Sequence, residues 1–240
     1  MNEVNTARQI WHRFSRLPGS QHIARQYAVY GLIHWLRKVK PRSVVEVGAG
    51  IGTLTYTSLV ALNDVHVSDG QPGFRLVTIE NNAFCLEQLR QNLGGMLRQV
   101  EVIPDLTQLP ASLGNVEFLI VDGGDFKETR YYANLAQGAV VFVESHRGDQ
   151  RKTLTKVNAQ RPFARARFQA LDGYGRFWIY KFEPSFIERA GFVGVNVQTG
   201  MRILLHKILR RFISGEQMRS FYRRFSGLYN YDREQGLGQI

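Results

Sequence analysis

One run of residues constrains this chain more than any other: Val44-Val45-Glu46-Val47-Gly48-Ala49-Gly50-Ile51-Gly52-Thr53. Ser43 to Val47 reads as a strand buried on both faces, as in a parallel sheet. Three alternate glycines then let the backbone turn tightly, and Thr53 to Leu62 reads as a helix. A strand leaving through such a turn into a helix fits a βαβ unit, in which the helix carries the chain back so that the next strand lies parallel to the first. The same beat recurs: Arg75–Glu80 is a strand, Ala83–Leu93 a helix and Gln99–Ile103 a strand. Glu117–Asp122 is a strand, Lys127–Leu135 a helix and Gly138–Glu144 a strand, the two strands ending in acids. Phe168–Leu171 and Arg176–Tyr180 flank Asp172-Gly173-Tyr174-Gly175, a hairpin signal. The expected architecture is a mostly parallel seven-stranded sheet with an antiparallel hairpin at one edge and helices on both faces.

Around this body the charge is uneven. The net charge is +11, yet residues 43–199 carry 15 basic and 16 acidic side chains. Residues 1–42 hold eight Lys/Arg against Glu3 alone, and residues 200–240 hold eight against Glu216, Asp232 and Glu234. This divides the chain into a basic helical segment (1–42), a catalytic body (43–183) and a basic amphipathic helical extension (184–240). In the first segment Ser20 is expected to cap a helix running through His22 to about Lys38 and stopped by Pro41. In the last, Met201, Leu204, Leu205, Ile208 and Phe212 share one helical face, with Arg202, Lys207, Arg210 and Arg211 largely away from it. The single cysteine, Cys85, makes no internal disulfide and reads as a packing residue. Neither a secretory signal nor an apolar run long enough to span a bilayer is visible, so the expected location is cytoplasmic, with a peripheral membrane position open to the basic ends.

The run from Val44 to Thr53 resembles the first motif of class I, Rossmann-like, S-adenosylmethionine-dependent methyltransferases: an acid two residues before a Gly-x-Gly-x-Gly turn. Its spacing differs from the Gly-x-Gly-x-x-Gly of dinucleotide sites. The resemblance implies a donor site built from Glu46, Gly48, Gly50 and Gly52, with Glu80 accepting the two ribose hydroxyls. Asp105, after the third strand, is similar to the acid that meets the adenine amino group; it is equally read as a turn aspartate. Val121-Asp122-Gly123-Gly124-Asp125 looks like the corresponding segment of small-molecule O-methyltransferases, whose metal-dependent members complete a site with Asp-Asn where this chain has Glu144-Ser145-His146. Three readings stay open there: Asp122 and Glu144 hold Mg²⁺, the two carboxylates face the donor sulfonium, or Asp122 and His146 act as a base pair.

The expected activity is methyl transfer to a hydroxyl of a small molecule, sugar or glycan, with Asp122, Glu144 and His146 facing the acceptor. Asp122-Gly123-Gly124-Asp125 lacks the prolines typical of adenine amino-methylating enzymes. Cys85, on a helix, is out of place as the nucleophile of cytosine carbon-5 methylation. Two rivals remain: an RNA methyltransferase, and a non-catalytic protein of the same fold binding nucleic acid or membrane. Arg219, Arg223 and Arg224, interleaved with Phe221 and Tyr222, suit an anionic partner, while a basic helix packed on the body or on a second subunit of a homo-oligomer explains them as well.

Overall fold

The computed structural model describes residues 2–68, 73–110, 114–123, 134–144, 156, 161–170 and 175–212. Seven strands form one sheet: β1 (Ser43–Val47), β2 (Arg75–Ile79), β3 (Val100–Ile103), β4 (Val116–Val121), β5 (Leu135–Glu144), β6 (Phe163–Gln169) and β7 (Arg176–Phe182). Their order is β3-β2-β1-β4-β5-β7-β6. The pairs among β3, β2, β1, β4 and β5 are parallel, and β7 is antiparallel to both β5 and β6. The described helices are α1 (Glu3–Phe14), α2 (Gln26–Val39), α3 (Thr53–Ser68), α4 (Ala83–Leu93) and α5 (Phe186–Phe212). This is the mostly parallel seven-stranded sheet with a hairpin at one edge that the β–α beat implies.

The central strands are apolar on both faces, and the period of two sorts their side chains into two cores. On β4, Phe118 and Ile120 join a core with Phe14, Leu32, Ile33, Leu36 and Leu54 of α1, α2 and α3, while Leu119 and Val121 join Val45, Val77, Val141 and Val143 on the other side. Phe142, Phe177 and Phe168 stack across β5, β7 and β6 with ring centroids 5.1 and 4.8 Å apart. Gly31 lets α2 approach this ladder, because a β-carbon there would stand 2.2 Å from the Phe177 ring.

Three expectations change. Ser20 caps no α-helix; it opens a short 3₁₀ turn after Gly19 (φ 86°), and Ile23 is extended, so α2 begins only at Gln26. The basic helical segment 1–42, divided from the body by charge, packs into it: Val4, Ala7, Ile10 and Phe14 of α1 are core residues, with Asn2 capping α1 through Val4 N and Asn5 N. Leu135 ends no helix but starts β5 opposite Val116, and the register then shifts near Gly138 (φ 72°), which marks an irregularity within the strand rather than its beginning. β6 starts five residues earlier than Phe168, because Arg165 and Arg167 lie on an edge strand where long polar side chains are tolerated. The rest of the expected helix Lys127–Leu135, up to Ala133, lies outside the described residues.

Candidate active site

Register places the chemistry. Val47 pairs with Ile79 of β2 and with Val121 of β4, and Val121 pairs with Val143 of β5. The next residue of each strand, Glu80, Gly48, Asp122 and Glu144, therefore stands in one row along the carboxyl edge of the sheet. The row crosses the boundary between β1 and β4, where strand order reverses and connections leave in opposite directions. Open α/β sheets bind ligands in the crevice at that position.

The glycine turn is shaped by what lies beside it. Asp122 N and Gly123 N both donate to Val47 O at 3.0 Å, drawing the end of β4 onto β1. A β-carbon on Gly48 (φ 83°) would stand 2.3 Å from Gly123 Cα, a separation two backbones cannot share with a side chain. Gly50 (φ 54°) is different: no atom lies within 4 Å of where its β-carbon would point. Its N–H donates to Glu80 Oε2 at 2.8 Å. Gly52 admits Leu89 of α4, whose Cδ1 would be 2.7 Å from a β-carbon there.

The acids divide by environment. Glu80 is half-buried; Oε1 accepts from Asn81 N (3.0 Å) and Asn82 N (2.9 Å). Glu46 is fully buried, and its Oε2 accepts from Thr55 Oγ1 (2.6 Å) and Thr78 Oγ1 (3.0 Å). Oε1 of Glu46 has no hydrogen-bond partner among the described residues. Burial pushes this carboxyl up to about 8; the two threonine hydroxyls oppose the shift, and the negative charges of Asp122 and Glu80 add to it. Glu46 thus cross-links β1, β2 and α3 from beneath the turn, a bracing position that sequence spacing alone does not reveal. Asp105 is exposed and accepts from Thr107 N (2.7 Å) and from the Thr107 hydroxyl, which with a backbone bond from Gln108 holds it below the usual carboxylate range. Its geometry is that of a turn aspartate.

Asp122 is half-buried and Glu144 buried at the ends of β4 and β5. Among the described residues no group of three or more His, Cys, Asp or Glu side chains is arranged to hold a metal ion. His146 lies outside the described residues.

A cleft of about 270 Å³ opens over the turn. Ala49, Gly50, Ile51 and Thr53 form its floor, with Asp122 to one side and Asn82, Phe84 and Cys85 of the α4 entrance to the other. The remaining wall is the segment between α1 and α2: Gly19, Gln21, His22 and Ile23. Gly19 lets it close on the turn, since a β-carbon there would be 2.7 Å from Ile51 and 2.9 Å from Phe84. Sequence reasoning missed this wall; Pro18-Gly19 is a turn signal, but nothing local says which surface the turn covers. Cys85 is half-buried on the cleft rather than packed in a core, and burial with the nearby Glu80 charge raises its thiol above the ordinary value.

No protein-family model matches the sequence, and no curated protein matches it. Solved structures do match the fold. The O-methyltransferase TomG from Streptomyces achromogenes, involved in tomaymycin synthesis and solved with SAM, is 17% identical; the match covers 77% of this chain and 91% of TomG at a TM-score of 0.53. The Bacillus cereus O-methyltransferase in complex with SAH is 15% identical, covering 75% of this chain and 90% of its own at 0.52. The SAH-bound Podospora anserina methyltransferase PaMTH1 is 13% identical, covering 77% and 89% at 0.54. The chain has the class I, Rossmann-like methyltransferase fold.

Proposed function

We propose that this chain is an S-adenosylmethionine-dependent methyltransferase that methylates a hydroxyl of a small molecule, sugar or glycan. The single observation that carries the reading is the row Glu80, Gly48, Asp122, Glu144 at the point where strand order reverses, with an open cleft above Gly50. Fold neighbours whose structures hold SAM or SAH support the choice of ligand.

The residues present fit this donor. The space over Gly50 is a cradle that a side chain would fill, and the start of α3 at Thr53 favours a carboxylate near its N-terminus. A carboxylate accepts about four hydrogen bonds; Glu80 uses three, which leaves Oε2 an acceptor site for a ribose hydroxyl. Asp105 is offered for the adenine amino group through its outer oxygen. Bound S-adenosylmethionine supplies a methyl group activated by the sulfonium charge. What remains for the chain is to align the acceptor oxygen and take its proton, and alignment alone is worth several kcal/mol. Asp122 and His146 are the groups for the proton, with Glu144 beside Asp122. In a metal-assisted variant Asp122 and Glu144 would be the residues to hold Mg²⁺, which would supply a positive charge for the acceptor oxygen.

Calorimetric titration of S-adenosylmethionine and S-adenosylhomocysteine, with and without Mg²⁺, tests the proposal. Micromolar binding followed by methyl transfer to a hydroxylated acceptor is the expected result; absence of binding to either compound overturns it.

A further inference from the structure

The 27-residue helix α5 follows β7 and packs on β6, the edge strand. Asn196 fastens it there: its Oδ1 accepts from Arg167 N at 2.9 Å and its Nδ2 donates to Arg165 O at 2.8 Å, so one side chain satisfies two backbone groups of the edge strand. Lys181 and Glu188 add an ion pair of 2.5 Å. With Phe192, Val195 and Thr199 turned to the body, the orientation of the helix is set.

The opposite face is apolar and bare. Phe186, Val193, Val197, Met201, Leu204 and Ile208 are 45–85% exposed. At ~100° per residue these six positions fall within roughly 80° of arc, and at ~1.5 Å per residue they run for about 33 Å. Monomeric proteins rarely leave so long an apolar stripe in water. Charge says what covers it. From Gly200 to Ile240 the chain carries eight Lys/Arg against three acids, and four of the basic residues, Arg202, Lys207, Arg210 and Arg211, fall within the span of α5. A second copy laid along the stripe would bring the same positive charge against itself, and the acid at the far end, Glu188, is already paired with Lys181. An anionic surface meets both the charge and the apolar stripe.

We propose that α5 is a membrane-surface helix, its Phe186-to-Ile208 stripe seated at the headgroup boundary of a bilayer containing anionic phospholipid. No helix among the described residues is long and apolar enough to cross a membrane, so the contact is interfacial. It brings the methyltransferase fold to the surface without spanning it, and it stands independently of the activity proposed above.

Flotation of the full chain with vesicles of phosphatidylcholine alone and of phosphatidylcholine with phosphatidylglycerol tests this. The chain is expected to float with the anionic vesicles, at least about tenfold more than with neutral ones, and to be released by high salt. The triple variant Val197→Glu, Met201→Glu, Leu204→Glu is expected to lose flotation while retaining the wild-type melting temperature and circular dichroism. A charge variant, Arg202→Gln with Lys207→Gln, Arg210→Gln and Arg211→Gln, should weaken anionic binding without altering the fold. Each of these results would overturn the proposal: no flotation, equal and salt-insensitive binding to neutral vesicles, or a dimer in sedimentation that the triple variant dissociates while vesicles capture nothing. Salt-sensitive retention of RNA in place of vesicles would overturn it in favour of a nucleic-acid surface.

Discussion

The Gly50 N–H and Glu80 Oε2 are joined at 2.8 Å, so the backbone of the glycine turn is held in place by the acid that ends the neighbouring strand. The same carboxylate accepts on its other oxygen from the N–H groups of the two residues that follow it, Asn81 and Asn82. One side chain thereby sets the separation between the turn and the start of α4, which are the floor and one side of the cleft.

Replacing Glu80 consequently acts on both structure and binding. Glu80→Ala should lower donor affinity at least about tenfold and cost about 2 kcal/mol of stability, since three charge-assisted bonds are lost at a half-exposed site. Titration calorimetry and urea denaturation measure the two separately. An unchanged donor affinity would remove Glu80 from the site.

Gly48 and Gly50 should fail in different ways. Gly48→Ala places a methyl group 2.3 Å from the Gly123 backbone and is expected to destabilise the protein by several kcal/mol. Gly50→Ala meets no atom and pays only the left-handed backbone, about 1–2 kcal/mol, yet it fills the space over the turn. The melting temperature should fall far more for the first, whereas the second should stay folded and lose donor binding.

Glu46 makes stability depend on pH. Its folded value of about 8 is above the ordinary value of 4.5, so the folded protein holds a proton that the unfolded chain releases. The stabilisation is complete below about pH 4.5 and is lost as pH rises towards 8, at up to about 1.4 kcal/mol per pH unit. Glu46→Gln keeps the shape without the ionisation. Urea midpoints between pH 5 and pH 8 should fall more steeply for the wild type than for this variant, by about a pH-unit's worth of energy or more.

Ser185 and Glu188 form a reciprocal cap on α5: Ser185 N donates to Glu188 Oε2 at 2.8 Å, and Glu188 N to Ser185 Oγ at 3.3 Å. Ser185→Ala should cost about 1 kcal/mol. Hydrogen exchange should show the loss in the first turns of α5, with the central strands unaffected.

The cap also shows where reading the chain stopped short. Ser185-Phe186-Ile187-Glu188 is a capping-box pattern visible in the sequence, whereas the apolar face from Met201 onward marks only the last half of the helix. Glu80 and Asp122 were legible because each ends a short apolar run. The roles around them were less so: Glu46 looks from its spacing like a donor ligand, and only its burial between Thr55 and Thr78 shows the brace.

What the sequence by itself determined is local. The β–α beat, the three-glycine turn, α4 from Ala83 to Leu93 and the strand-end acids follow from hydrophobic period and from the conformations glycine permits, which depend on residues a few positions apart. Only the tertiary structure decided that Gly19 to Ile23 walls the cleft, that Gly48 and Gly123 touch, and that the apolar stripe of α5 faces water. Those contacts join segments far apart in the chain, and their free energy comes from closing particular surfaces on one another, which the order of residues along either segment does not specify.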